Sequence, residues 1–231
     1  MLHDGKQYRR LIERLLFLNL TRPDLSYAIQ HLSQFVRAPR QPHLDAVMHV
    51  VRYLAGSAGL GLLLSSKSNL DLIAYSDADW ASCAFSARSL TGYCILLGDS
   101  LVSWKTKKQK TVSRSSAESE YRSMSATTCE LVWLSGVLHD LLINVQLPIP
   151  LHCDNRDVMH IAANPVFHER TKHLTIDCHF VRDKVQEGFI STVFVRSASQ
   201  LADVMTKPLG ELQHNFFISK LGLVEPSPCP T

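Results

Sequence analysis

The chain has 231 residues, enough for one large domain or a full domain plus a partial one. Apolar residues make up 45 %, so a real core forms and wholesale disorder is excluded, and no apolar run is long enough to span a bilayer. The net charge of +3 hides an asymmetry: residues 1–68 carry nine Lys/Arg against four Asp/Glu, whereas residues 69–231 carry fifteen against seventeen.

Leu11, Leu15 and Leu18 repeat at helical spacing until the stretch Asn19 to Pro23 interrupts them. Asp24 is placed to cap a second helix with Ala28, Ile29, Leu32 and Phe35 on one face. A third helix from about His43 turns Ala46, Val47, Val50, Val51 and Leu54 inward and is broken by Gly56, Gly59 and Gly61. Leu60 to Leu64 predicts a short strand, and Ser65 to Asn69 reads as a polar linker and domain boundary.

Beyond that linker the period changes. Leu70 to Tyr75 predicts a strand running into Ser76–Asp77, and Gly92 to Leu97 predicts a second, turned at Gly98–Asp99–Ser100. Leu101 to Lys107 predicts a third, with Val102 and Trp104 on one face. Ser115 and Glu118 fit a capping box for a long helix carrying Tyr121, Met124, Thr128, Leu131, Val132 and Leu138. Pro148 and Pro150 mark its exit, and Ile149 to Cys153 predicts a strand ending at Asp154–Asn155. Helices over Val158 to Ala163 and Leu174 to Val185, a strand over Phe189 to Val195, and a helix over Gln200 to Lys207 capped by Ser199 complete the order.

Three strands joined by short turns cannot all be parallel, because a parallel pair needs a long crossover. The later β-α-β connections do permit parallel pairing. The expected fold is therefore α/β, a mixed five-stranded sheet flanked by helices with ribonuclease H topology, preceded by a small helical segment. The six cysteines are scattered without CxxC pairs, and Met1 to Tyr8 lacks a signal-peptide core, so an intracellular protein with reduced thiols is expected. Trp80, Trp104 and Trp133 read as core residues.

Such a fold gathers its acids. Asp77 lies on the first strand, Glu118 and Glu120 in the first turns of the long helix, Asp154 at the end of the fourth strand, and Asp203 in the last helix. Magnesium takes hard oxygen ligands, so carboxylates from separate elements are the expected set for a two-ion site acting on a phosphodiester. Taken singly, each acid has a plain structural reading: a turn former, a cap, or a solvated helix residue.

Several segments carry a resemblance: Ser76-Asp77-Ala78-Asp79-Trp80, Thr91-Gly92-Tyr93, Ser115-Ser116-Ala117-Glu118-Ser119-Glu120-Tyr121, Cys153-Asp154-Asn155, the run Asn164 to His173, and Leu201-Ala202-Asp203-Val204-Met205-Thr206-Lys207-Pro208-Leu209. They resemble the ribonuclease H motifs at the C-terminal end of the Pol polyprotein of plant Ty1/copia-type LTR retrotransposons. Thr21 to Ala28 and Leu32 to Phe35 are similar to the reverse transcriptase segment after the palm. The resemblance implies a helical thumb or connection remnant over 1–68, a ribonuclease H-like domain over 69–210, and a C-terminal helix and tail over 211–231. It implies cleavage of the RNA strand of RNA–DNA hybrids with two Mg2+ ions, Mn2+ being able to substitute. The remainder of the Pol polyprotein is the implied partner, in a cytoplasmic virus-like particle or the nucleus, with no membrane involved. No Tyr-x-Asp-Asp polymerase motif is present in the sequence.

By the resemblance, Asp77, Asp154, Asp203 and one of Glu118 and Glu120 are the metal ligands. Glu120 matches the Glu-x-x-small pattern better, while Glu118 suits the cap. Departures from the family include Glu13 where glycine is usual, Ala84 and Ala87 before Arg88, and no histidine between Val195 and Ala202.

Lys105, Lys107, Lys108, Lys110 and Arg114 form a basic run without acids, suited to phosphates, with Arg88, Ser116 and Asn155 as polar partners for the hybrid. His168, His173, Cys178 and His179 lie close in sequence but lack the paired spacing of a structural zinc site. A second reading is a catalytically silent nucleic-acid-binding or connection module from a degraded element, which binds hybrid without cutting it.

Overall fold

The computed structural model describes residues 5–163 and 175–225. The whole Asn164 to His173 run, with His168 and His173, lies outside them.

The basic first segment forms helices α1 (Gly5–Leu18), α2 (Ser26–Ser33) and α3 (Gln41–Gly56). They share a core of Tyr8, Ile12, Leu15, Leu25, Ile29, Leu32, Val47 and Val50, and the Tyr8 hydroxyl donates to the Leu32 carbonyl across 2.7 Å. Asp24 does not cap α2. It sits in a short 3-10 turn (Pro23–Leu25), buried against Arg22 at 2.7 Å, and accepts from the Tyr53 hydroxyl at 2.8 Å. Arg22 also donates to the Ser57 carbonyl at 2.9 Å, so one ion pair ties the α1–α2 turn to the end of α3. Glu13 is exposed and α1 runs through it unbroken, because a surface helix position accepts glutamate readily.

The expected short strand is β1 (Gly61–Leu62), paired antiparallel with β7 (Leu223–Val224) near the other end of the chain. Between them lie β2 (Leu72–Asp79), β3 (Leu90–Leu97), β4 (Ser100–Lys108), β5 (Ile149–Cys153) and β6 (Ile190–Phe194) in the spatial order β4-β3-β2-β5-β6. β3 pairs antiparallel with both β2 and β4, whereas β5 runs parallel to β2 and β6. Gly98 makes the tight β3–β4 turn at φ 57°, where a Cβ would collide with Ser68 and Asn69.

Helices α4 (Ser116–Asp140), α5 (Arg156–Ala163) and α6 (Thr175–Gln186) cover one face of the sheet. Leu72, Ala74, Tyr121, Met124, Leu131, Ile149, Leu151 and Val181 fill the layer between. The other face packs Cys94, Leu96 and Leu101 against Ala202, Met205, Phe217 and Leu221, from α7 (Asp203–Thr206), α8 (Glu211–Lys220) and their flanking loops. Burying each of the Leu, Ile, Val, Phe and Met side chains contributes about 1.5–3 kcal/mol, so both layers hold the strands in place.

Three expectations are corrected. Ser199 caps nothing: it ends a 3-10 turn (Ser197–Ser199), and the last core helix is only the four residues of α7. Trp80 and Trp133 are 48 % and 60 % exposed, Trp80 being held by a bond from its Nε1 to the Ser113 carbonyl. The capping box is half formed. Ser115 accepts from the Glu118 N–H at 3.1 Å, but the Glu118 carboxylate takes the N–H of Arg114 at 2.7 Å instead of the cap's own.

Candidate active site

Strand β2 carries Asp77 on the face opposite Leu72 and Ala74, toward α7. Its carboxylate accepts from the Thr206 hydroxyl and, at 3.1 Å, from Lys207 Nζ. Lys207 also donates to Asp203 at 2.8 Å, so one ammonium bridges two carboxylates whose residues lie far apart in the chain. Gly92 on β3, facing Asp77 in the register, allows this closeness. A Cβ there would come within 2.8 Å of the Met205 Cβ.

Helix α4 delivers Glu120. Ser123, one turn on, donates its hydroxyl to the Asp77 carbonyl at 2.7 Å, which draws the helix onto β2. Glu120 is then buried; the Ala78 main chain hydrogen-bonds its carboxylate, while its Oε2 has no hydrogen-bond partner. Asp154, just past β5, accepts from the Ser197 hydroxyl at 2.9 Å. Ligand atoms of Glu120, Cys153 and Asp154 lie within 4.8 Å of one another. Burial pushes the Cys153 thiol far up, and its sulfur is engaged with the Asn155 main chain, so the oxygens are the donors of this group.

The electrostatics follow from crowding. Burial raises the Asp77 carboxyl, and the Asp154 charge adds to this, while Lys207 and Thr206 oppose it. Glu120 is raised well above the usual carboxylate range by burial and by the charges of Asp77 and Asp154. Asp203 is pushed up to about 6 by burial and by Asp77. Burial works against the ammonium of Lys207, but Asp77 and Asp203 outweigh it and its pKa rises.

Four of the five acids read from the sequence therefore converge: Asp77, Glu120, Asp154 and Asp203. Glu118 does not join them. It is turned to Arg122 at 2.8 Å and to the Arg114 N–H, and both its oxygens are satisfied there. The convergence suits a hard divalent cation: Asp154 offers a carboxylate oxygen close to Glu120, whose buried Oε2 lacks a hydrogen-bond partner, and Asp77 acts on both Glu120 and Asp203 through its charge.

The basic run does not act as one strip. The pleat of β4 sends Lys105 and Lys107 outward, with Lys105 over the Tyr93 ring, while Lys108 turns to the other face and is held by Gln34 and by Cys83 at 3.0 Å. Lys110, Arg114, Arg88 and Ser116 are exposed. Asn155 gives its side-chain oxygen to the N–H groups of Asp157 and Val158, opening α5 as a cap. Cys178 is core and His179 exposed on α6. Ser123 is the small residue of the Glu120 pattern, whereas Thr206, Lys207 and Ser197 carry no such local signal. Thr206 and Lys207 stand inside a quoted motif, but nothing local reveals that they face Asp77.

Strand order, layering and the position of the acids define a ribonuclease H-like domain joined to a three-helix segment. The chain belongs to the retrovirus-related Pol polyproteins of Ty1/copia-type transposons. It is 44 % identical over 227 residues, 98 % of its length, to the retrovirus-related Pol polyprotein from transposon RE1 of Arabidopsis thaliana. It is 32 % identical over 187 residues, 81 % of its length, to that from transposon TNT 1-94 of Nicotiana tabacum. The chain spans only 16 % and 14 % of those two relatives. No family model matches it. The N-terminal ribonuclease H domain of a Mycobacterium tuberculosis protein, solved as a maltose binding protein fusion, aligns with 65 % of this chain and 98 % of its own at 11 % identity. Its TM-score is 0.46, and the fold assignment rests instead on the strand order. Among the described residues no helix is long and apolar enough to cross a membrane.

Proposed function

We propose that this chain is an endonuclease that hydrolyses the RNA strand of RNA–DNA hybrids, working inside the cell as part of a reverse-transcribing Pol polyprotein. The observation that carries the reading is the clustering of four carboxylates, with Asp154 beside the unpartnered Glu120 Oε2 and Asp77 linked by charge to Glu120 and Asp203. These four would hold two Mg2+ ions, or Mn2+. When bound, such ions lower the pKa of a water and neutralise charge on the scissile phosphate.

The residues of this chain supply the rest. Ser197 orients Asp154, and Thr206 orients Asp77. The sheet register aligns Asp79 with Leu90 and Leu90 with Lys108, so the ends of β2 and β4 share one rim with Asp154 after the parallel β5. Arg88, Lys107, Lys110 and Arg114 follow from that rim and offer exposed cations to the hybrid's phosphates beside the carboxylates. Shape and the 2′-hydroxyl would then distinguish hybrid from DNA duplex.

The test is cleavage of end-labelled RNA–DNA hybrid by the purified chain with Mg2+ or EDTA, beside RNA–RNA and DNA–DNA duplexes. Mg2+-dependent loss of only the hybrid's RNA strand is expected. A folded protein that binds hybrid but never cuts it would overturn the proposal in favour of a silent binding module.

A further inference from the structure

Among the described residues, Lys207 is the one cation within hydrogen-bond reach of two of the converging carboxylates, at 3.1 Å from Asp77 and 2.8 Å from Asp203. An ammonium there offsets the repulsion of two buried acids, a role a divalent ion between them would also fill. Both cations cannot share that space, because their charges repel at such separations with little water between them. Glu120 and Asp154 stand apart from the bridge. The ammonium hydrogen-bonds to neither, and the buried Glu120 Oε2 has no hydrogen-bond partner.

We propose that Lys207 is a built-in counter-ion for the Asp77–Asp203 half of the site, displaced when a second divalent ion enters. This rests on the metal-site reading above. Loading is then sequential: a first ion takes the Glu120–Asp154 side without disturbing the bridge, and a second must expel Lys207. The chain has room for the expelled side chain. Lys207 also lines a cavity of about 560 Å³ between α2, α3 and α8, beside Tyr53, His214 and the exposed carboxylate of Glu211. Its stem is flexible and Pro208 anchors only the backbone after it, so a rotamer change suffices. The arrangement keeps the ion-free protein folded despite its buried acids, and it makes the second ion bind more weakly than the first.

The experiment is calorimetric titration of Mg2+ and Mn2+ into the full chain without nucleic acid, at mildly alkaline pH, for wild type, K207M and K207R. The expected result is that K207M binds the second ion about tenfold or more tightly, the gain from removing one repelling charge, while K207R stays near wild type. An unchanged or weaker second site in K207M overturns the proposal. Should K207M fail to fold, the wild type decides by reductive methylation followed by peptide mass spectrometry. Mg2+ should speed labelling of Lys207 while leaving Lys105 and Lys110 unchanged, and equal or slower labelling of Lys207 overturns it. If no ion binds any of the three proteins, this inference and the metal-site reading both fall. Displacement of Lys207 in a protein that never cuts hybrid would sink the nuclease reading alone.

Discussion

Ser123 Oγ reaches the carbonyl of Asp77 across 2.7 Å, and the same hydroxyl lies 3.2 Å from the carbonyl of Gly92. A buried serine on α4 thus bonds the backbone of two adjacent strands, and its small size lets the helix approach close enough for Glu120 to meet the strand carrying Asp77. Ser123→Ala should cost about 1 kcal/mol, the worth of one net hydrogen bond. Ser123→Leu should cost about 1–3 kcal/mol through overpacking and lift Glu120 off the site. Urea denaturation reads both, and hybrid cleavage should fall far more in the leucine variant.

The two glutamates should separate cleanly. Glu120→Gln removes a buried carboxyl whose ionisation burial and the charges of Asp77 and Asp154 oppose, so the ion-free protein should gain stability as pH rises while cleavage falls by about a thousandfold or more. Glu118→Gln leaves one acceptor oxygen for the two donors, Arg122 and the Arg114 N–H, and loses the charge, costing about 1–3 kcal/mol, and should leave cleavage within a few-fold of wild type. Melting temperatures paired with cleavage rates check this, and equal loss of cleavage in both variants would refute the assignment of Glu120.

The pH response of the ion-free protein has a definite sign. The folded state raises Asp203 to about 6 and also raises Asp77 and Glu120, so it binds protons that the unfolded chain releases. The stability contributed by Asp203 is therefore present at low pH and is lost as pH rises from the ordinary carboxylate range through about 6, and Asp77 and Glu120 act in the same direction. In EDTA the melting temperature should rise on going from neutral pH toward that range, and Asp203→Asn should flatten the slope. Saturating Mg2+ should raise the melting temperature most at neutral pH, where the carboxylates are free to bind it.

Gly92→Ala tests the packing behind the site. The new methyl would press on Thr206 and on Met205 Cβ at 2.8 Å, both parts of the core, so α7 must shift. A loss of about 1–3 kcal/mol is expected. Cleavage should fall as well, since Thr206, Lys207 and Asp203 move relative to Asp77. Circular dichroism melts and the hybrid assay report the two effects, and a variant matching wild type in both would show that α7 has slack.

The order of elements was legible in the chain itself, because the hydrophobic period switches from helical to alternating after Ser65–Asn69 and turns are signed by Gly98–Asp99 and Pro148. The antiparallel β3–β4 pair followed from connection length, since the tight Gly98–Asp99 turn leaves no room for a crossover, whereas the longer connection between Asp79 and Leu90 did not by itself fix the β2–β3 pairing. The alternation of Lys107 and Lys108 across β4 was legible too, as a consequence of the pleat, although a run of basic residues reads more readily as one strip.

Other features required the third dimension. Glu118 and Glu120 are two residues apart, about 200° around a helix, so they face nearly opposite directions and only docking against β2 decides which meets Asp77. Asp24 looks like a cap by position, but the pairing with Arg22 and Tyr53 arises from helix packing. By itself, the sequence determined the five main strands and most helices, their order and the acids available, because periodicity and turn chemistry act locally, whereas β7 shows only through its pairing with β1. The tertiary structure alone decided that Lys207 lies between Asp77 and Asp203, because electrostatic partners in a folded core are chosen by proximity in space and not along the chain.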